Sequence, residues 1–195
     1  MLRINSPKYL IIHHTGGIDV DPLADTSNQT FEVVNAWHRQ NPNTWLGTYS
    51  SLGYAIGYHY FIDKKGKMTQ GREDYDEGAH CVDHNIDSIG ICMAGNFDIT
   101  SPTNAQISSL NEIIGKKMKE YDISINNVVP HRYFSKKTCY GNRLTDNWLR
   151  DIMNPPVEKM ILPCVQEHVI IEEQKKQISR LQQLIQDLIN LFKRR

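Results

Sequence analysis

The sequence predicts an α/β (α+β mixed) domain, with a central mixed β-sheet flanked by helices and a C-terminal helical tail. Three observations carry this. Short β-branched runs at residues 9–14, 88–94 and 128–129 alternate with segments in which apolar residues recur at helical spacing. No internal repeat interrupts the order. After Pro155-Pro156 the composition changes to an amphipathic, heptad-like pattern, so the domain is bounded at 1–154, with a linker at 155–163 and a tail at 164–195.

Residues 9–14 read as a central strand, and Gly16-Gly17 after it permit a sharp exit. Residues 18–29 are polar and acidic, a surface loop. Across 30–40, Phe31, Val34, Trp37 and His38 recur at helical spacing, with Asn28 or Thr30 as the cap. Trp45 and Tyr49 lie in a loop of Asn, Gly, Thr and Ser, which suits either a sugar or peptide platform or an anchor for the loop. Residues 53–63 are aromatic and apolar and predict a second strand. The turn at 63–67 leads to a short partner strand ending near Gln70. Residues 71–85 form a loop holding Glu73, His80 and His84, and 88–94 predict a buried strand.

Ser101-Pro102-Thr103 predicts a helix start, with Ser101 as cap and Pro102 in the first position. Its apolar stripe runs Ile107, Leu110, Ile113 or Ile114, Met118 and Tyr121. Val128-Val129 form a short strand that delivers His131, and 144–152 a last helix packed through Leu144, Trp148 and Leu149. No glycine-rich phosphate fingerprint follows the first strand, which argues against a doubly wound nucleotide-binding domain.

In the tail, Ile171, Ile178 and Ile185 take heptad position a, and Leu181 and Leu188 position d. That pattern favours a parallel coiled coil, so a homo-oligomer through 171–192 is expected. Leu184, Ile189 and Leu191 widen the stripe beyond a dimer seam, leaving a larger bundle or packing on the chain's own domain open. A helix lying on a membrane surface is a weaker option, suggested only by the terminal Lys193-Arg194-Arg195.

Lys and Arg total 22, as do Asp and Glu, and this zero formal charge argues against general nucleic-acid binding. Residues 1–14 hold no apolar run long enough for a signal peptide or membrane span, so cytoplasmic synthesis without stable membrane insertion is expected. The four cysteines, Cys81, Cys92, Cys139 and Cys164, include no CxxC pair and read as free thiols. Cys92 sits in a core strand; Cys139 follows a polar turn, where a merely structural cysteine is less expected.

Residues 130–139 place His131 and Cys139 eight positions apart, with Lys137 two before the thiol. A loop that leaves a buried strand, turns and returns would bring both groups to one point. Zinc accepts an imidazole and a thiolate but needs a third ligand, and His13-His14 at the end of the first strand offer one.

These residues carry a resemblance to the zinc-dependent N-acetylmuramoyl-L-alanine amidases, the type 2 family that includes phage lysozymes of the T7 type and peptidoglycan recognition proteins. It covers about residues 8–152. Its pieces are Ile12-His13-His14-Thr15, Trp37-His38, Gly57-Tyr58-His59-Tyr60, Gly71-Arg72, Gly78-Ala79-His80, Asn85 with Ser88-Ile89-Gly90-Ile91, the Thr103-Ala105-Gln106 helix start, and His131 through Cys139. The resemblance implies zinc, one per domain, on His13, His131 and Cys139, with Tyr58 and Lys137 catalytic. His14 is then set aside, because neighbouring strand residues face opposite ways. His59, His80, Glu73 and Trp45 are candidates for the substrate groove, His59 and His80 either lining it or hydrogen-bonding beneath it, with Glu73 a reserve general base. Where the family continues Cys-Pro-Gly, this chain reads Cys139-Tyr140-Gly141, and 41–53 looks like an insertion.

Two neutral imidazoles and a thiolate leave zinc a net charge near +1 and one open position. The bond that the resemblance implies is cut joins N-acetylmuramic acid to the L-alanine of the peptidoglycan stem peptide. Lys137 would stabilise charge developing on the attacked carbonyl. Tyr58 would orient water or donate a proton, being a poor base at its ordinary pKa. The expected protein is a phage or prophage endolysin, held in the host bacterial cytoplasm until it is released to the wall. A non-catalytic muropeptide-binding module of the same fold is the alternative, and its mark would be a lost cysteine ligand.

Overall fold

A computed structural model describes residues 6–40, 49–154, 172–186 and 190. The chain divides into two units, Met1–Met153 and Asn154–Arg195.

In the first unit, five strands form one sheet: β1 (Tyr9–His14), β2 (Tyr60–Ile62), β3 (Met68–Gln70), β4 (Ser88–Met93) and β5 (Val128–Pro130). Their order is β3-β2-β4-β1-β5. β1 runs parallel to both β4 and β5, β2 parallel to β4, and β3 closes an antiparallel hairpin on β2. The sheet is therefore mixed, as the sequence predicts. β1 and β4 read as continuous apolar runs because both their faces are covered. In the β2–β3 turn, the Asp63 carboxylate accepts the Lys65 and Lys67 N–H groups, and Gly66 takes φ +81°.

Side-chain alternation sorts the two faces. Leu10 and Ile12 of β1, Ile89, Ile91 and Met93 of β4, and Tyr60 and Ile62 of β2 join Leu110, Ile113 and Ile114 of α2 (Asn104–Tyr121). Phe61 and Cys92 join Phe31 and Val34 of α1 (Phe31–Gln40) on the other face. His13 follows Ile11 onto that second face, and His14 turns to the first.

Three local readings are corrected. Only Tyr60–Ile62 of the predicted 53–63 strand joins the ladder. The segment before it gives its N–H groups to side chains of α1: Ala55 and Ile56 to Asn35 Oδ1, at 2.7 and 3.0 Å, and Gly57 to His38 Nδ1 at 2.9 Å. The long helix starts after Thr103 rather than Ser101. Thr103 Oγ1 accepts the Gln106 N–H and Gln106 Oε1 accepts the Thr103 N–H, a reciprocal capping box. The last helix, α3 (Trp148–Met153), begins four residues later than predicted. Leu144 is drawn into a turn whose carbonyl accepts from Arg132.

In the second unit, residues 172–186 are helical. Ile178, Leu181, Leu184 and Ile185 are all more than half exposed. The described residues of this unit thus form one amphipathic helix with an exposed apolar stripe. The rest of the predicted stripe, Ile171, Leu188, Ile189, Leu191 and Phe192, and the predicted linker lie outside the described residues. No described helix is long and apolar enough to cross a membrane.

Candidate metal centre

The parallel register of β1 and β5 builds the site. Ile12 pairs with Pro130, so the next residue of each chain segment, His13 and His131, emerges beside the other. Their rings lie 4.5 Å apart between centroids. His131 opens a single 3-10 turn, His131–Tyr133, closed by the Phe134 N–H on the His131 carbonyl.

The chain then returns Cys139. The Arg132 N–H donates to the Cys139 carbonyl at 2.6 Å. The Arg132 guanidinium holds the Gly141 and Leu144 carbonyls and the Asp146 carboxylate. From the opposite side, Asp98 accepts from Thr138 Oγ1 and the Asn142 N–H, at 2.9 and 2.8 Å. Tyr140, where the resembling family has proline, is fully buried; its hydroxyl donates to the Thr145 carbonyl and Arg132 lies over its ring. The Cys139–Tyr140 peptide is cis.

One donor atom each from His13, His131 and Cys139 lies within 4.8 Å of the others. His13 Nδ1 and Cys139 Sγ are 3.6 Å apart. Zn–N of about 2.0–2.1 Å and Zn–S of about 2.3 Å at a tetrahedral angle put the two ligand atoms about 3.6 Å apart. The donor set fits zinc in chemistry as well, two borderline nitrogens with one soft sulfur. Burial, helped by the charge of Lys137, lowers His131 to about 4. Burial and the neighbouring His131 and His80 rings hold His13 well below its ordinary value. Both imidazoles are therefore neutral at pH 7, with a lone pair to give. Burial pushes the Cys139 thiol up to about 12, against the opposing pull of a backbone hydrogen bond at His14 and of the Lys137 charge. Binding a metal there must displace that proton.

The other site residues fall into two groups. Tyr58 packs 5.0 Å from His13, ring to ring. Burial, with Cys92 and Cys139 beside it, raises its pKa well above the usual tyrosine value, so its hydroxyl is a donor in the resting protein. It lines a cleft of about 160 Å³ with Thr15, Gly17, Ile18, Trp37 and His38. Lys137 is exposed on the Cys139 loop, and its charge reaches both His131 and Cys139. Trp45 lies outside the described residues.

Of the four groove candidates, His59, His80 and Glu73 fall among the described residues. His59 is fully buried and uses both ring nitrogens internally, Nε2 on the Asp76 carbonyl and Nδ1 on the Gly90 N–H. His80 sits beneath the site, its Nδ1 3.1 Å from His13 Nε2. Glu73 is tied to the 70–76 loop, through Gln70 and the Asp76 carboxylate, and makes no hydrogen bond to the three metal candidates among the described residues. His14 faces the other way and accepts the Phe97 N–H. Asp98 and Arg132, the clamps on the Cys139 loop, escaped the sequence reading because their partners lie up to 44 positions away. Trp37 and His38 were visible only as a helical stripe and a motif fragment.

Residues 3–142 match the family model described as N-acetylmuramoyl-L-alanine amidase. The chain belongs to this amidase family. It is 29% identical over 142 residues to peptidoglycan-recognition protein SC2 of Drosophila melanogaster, covering 72% of this chain and 71% of that one. It is 27% identical to the endolysin of Enterobacteria phage T3 over 63% of this chain and 77% of that one. Among solved structures, the endolysin amidase LysCS from Clostridium intestinale URNW aligns with a TM-score of 0.60 at 25% identity. That alignment covers 76% of this chain and 84% of that one. The amidase fold and a candidate metal triad thus occur together in one chain.

Proposed function

We propose that this amidase-family chain is a zinc enzyme that hydrolyses the amide between N-acetylmuramic acid and L-alanine in peptidoglycan, acting as a phage or prophage endolysin. The observation that carries the reading is the convergence of His13, His131 and Cys139 beside Tyr58, which itself lines a cleft. Zinc held by those three residues would polarise the scissile carbonyl and lower the pKa of the attacking water.

The chain's own residues supply the rest. Lys137 brings a positive charge to the mouth of the site, where charge builds on the amide oxygen. Tyr58 donates its proton toward that oxygen or the leaving nitrogen. The clamp of Arg132 and Asp98 keeps the Cys139 loop in place, so that no rearrangement is needed during reaction. Tyr58→Phe and Lys137→Met are each expected to lower kcat by about 10²–10³-fold. Each should keep one zinc per chain in metal analysis. Loss of the metal along with activity would show that the residue builds the site rather than acts in it.

Mass analysis of digested cell walls tests the reaction. Intact glycan strands with liberated stem peptides are expected. New reducing sugar ends would overturn the assignment, and binding without cleavage would favour a muropeptide-binding module, a reading that Cys139 already disfavours. The enzyme is proposed to wait in the host cytoplasm until it is released to the wall. The uncovered stripe of Ile178, Leu181 and Ile185 supports pairing with further copies through the tail. Joining catalytic domains in this way raises their effective concentration on a polymeric wall. Solution mass should exceed that of one chain and fall to it when 164–195 is removed; a full-length monomer would end the oligomer proposal.

A further inference from the structure

We infer that His80 is a positioning residue that selects which nitrogen of His13 binds the metal, an inference that rests on the zinc reading of the three ligands. His13 Nδ1 is the atom facing Cys139 Sγ, at 3.6 Å, and is therefore the ligand nitrogen. A neutral imidazole has one N–H, so metal on Nδ1 requires the proton on Nε2. That nitrogen faces His80 Nδ1 at 3.1 Å. His80 Nδ1 must then accept, and the His80 proton must reside on its own Nε2. Outer-sphere partners of this kind fix the ring orientation and tautomer of a metal-binding histidine.

Two features argue that the imidazole is there for this bond and not for bulk. First, its Nε2 is buried with no partner among the described residues. A buried polar group left unpaired costs about 1–3 kcal/mol, which an apolar ring filling the same space would avoid. Second, the ring is locked in one pose. A Cβ at Gly78 or at Gly90 would come within 2.5 Å of its Cδ2, so both walls are bare backbone. Behind it, Asn85 Oδ1 accepts the His80 and Cys81 N–H groups at 2.8 and 2.9 Å. Neighbouring His59 cannot take over the role. Its Nε2 is engaged by the Asp76 carbonyl and its Nδ1 by the Gly90 N–H.

The test compares His80→Phe, which keeps a ring without an acceptor, with His80→Asn, whose Oδ1 falls near the position of the imidazole Nδ1. Zinc affinity is measured by competition with a chromogenic chelator, and the fold by thermal unfolding of the metal-free protein. His80→Phe is expected to bind zinc about 10–100-fold more weakly, and His80→Asn to recover most of that loss. In the zinc-loaded wild type, long-range proton–nitrogen NMR correlations on histidine-labelled protein should place the His13 proton on Nε2. Unchanged affinity in His80→Phe, or a His13 proton on Nδ1 in the loaded protein, would overturn the inference. If His80→Phe does not fold, the NMR tautomer and the Asn variant still decide. Failure of the wild type to take up zinc in the same titration would remove the metal assignment itself, and the His80 role with it.

Discussion

On the proposed zinc reading, Cys139→Ser is expected to abolish stoichiometric zinc binding and to reduce peptide release from cell walls by about 10³-fold or more, the largest catalytic effect expected of any single substitution here. Serine matches the thiol in shape, but its hydroxyl stays protonated at neutral pH and is a hard, weak donor to zinc. The loss also reaches stability, because the three ligands join β1, the turn after β5 and the 134–139 loop. A metal present at a thousandfold excess over its dissociation constant stabilises the folded state by about 4 kcal/mol. For a domain of this size that corresponds to a melting point lower by roughly 8–16 °C in zinc buffer. In chelator the wild type and the variant should melt together. One zinc per chain in the variant, or full activity without it, would remove Cys139 from the site.

Asp74→Ala is the second large effect, and it concerns stability alone. Asp74 follows β3 and accepts from Tyr60 of β2 at 2.6 Å and from Tyr121 of α2 at 2.9 Å. It also pairs with Lys117 of α2, whose side chain is only 4% exposed. Removing the carboxylate strands two hydroxyls and most of a buried ammonium. Breaking a buried pair from one side costs about 3–5 kcal/mol. The low end is expected, since Glu120 still reaches Lys117 at 2.9 Å.

Asp74→Ala combined with Lys117→Met should recover part of the loss, because the uncompensated charge goes with the lysine. The effect has a pH signature. Burial alone would raise the Asp74 pKa, but its bonds to Lys117, Tyr60 and Tyr121 outweigh that and leave it lowered. Its stabilisation is therefore complete above about pH 4, the unfolded value, and is lost as pH falls through the depressed folded value. The wild type should converge on the variant in acid, by denaturant titration. A difference under about 0.5 kcal/mol at pH 7 would class the network as ordinary surface chemistry.

Residue type and period made much of the fold legible. The buried strands at 9–14 and 88–94 were clear because β-branched runs of that length have few other uses. The amphipathic stripes of α1 and α2 were clear because their apolar residues recur at helical spacing. The strand expected over 53–63 failed because hydrophobicity cannot show where backbone N–H groups go. Asn35 and His38, some twenty positions earlier, take them instead. The capping position moved from Ser101 to Thr103 because Gln106 completes a reciprocal pair with Thr103 alone. His59 and His80 read alike, as residues lining the groove or hydrogen-bonding beneath it; the fold buries one between Asp76 and Gly90 and sets the other against His13.

By itself the sequence determined the inventory: a soft thiol, several imidazoles, a lysine two places before the thiol, and the alternation that separates His13 from His14. Only the tertiary structure decided which of these meet. The parallel pairing of β1 with β5 sets His13 beside His131, and Arg132 and Asp98 close a loop through contacts 9 and 44 positions apart in the chain. Local preference acts over a few residues, whereas the coincidence of three donor atoms depends on strand register and on hydrogen bonds between distant segments.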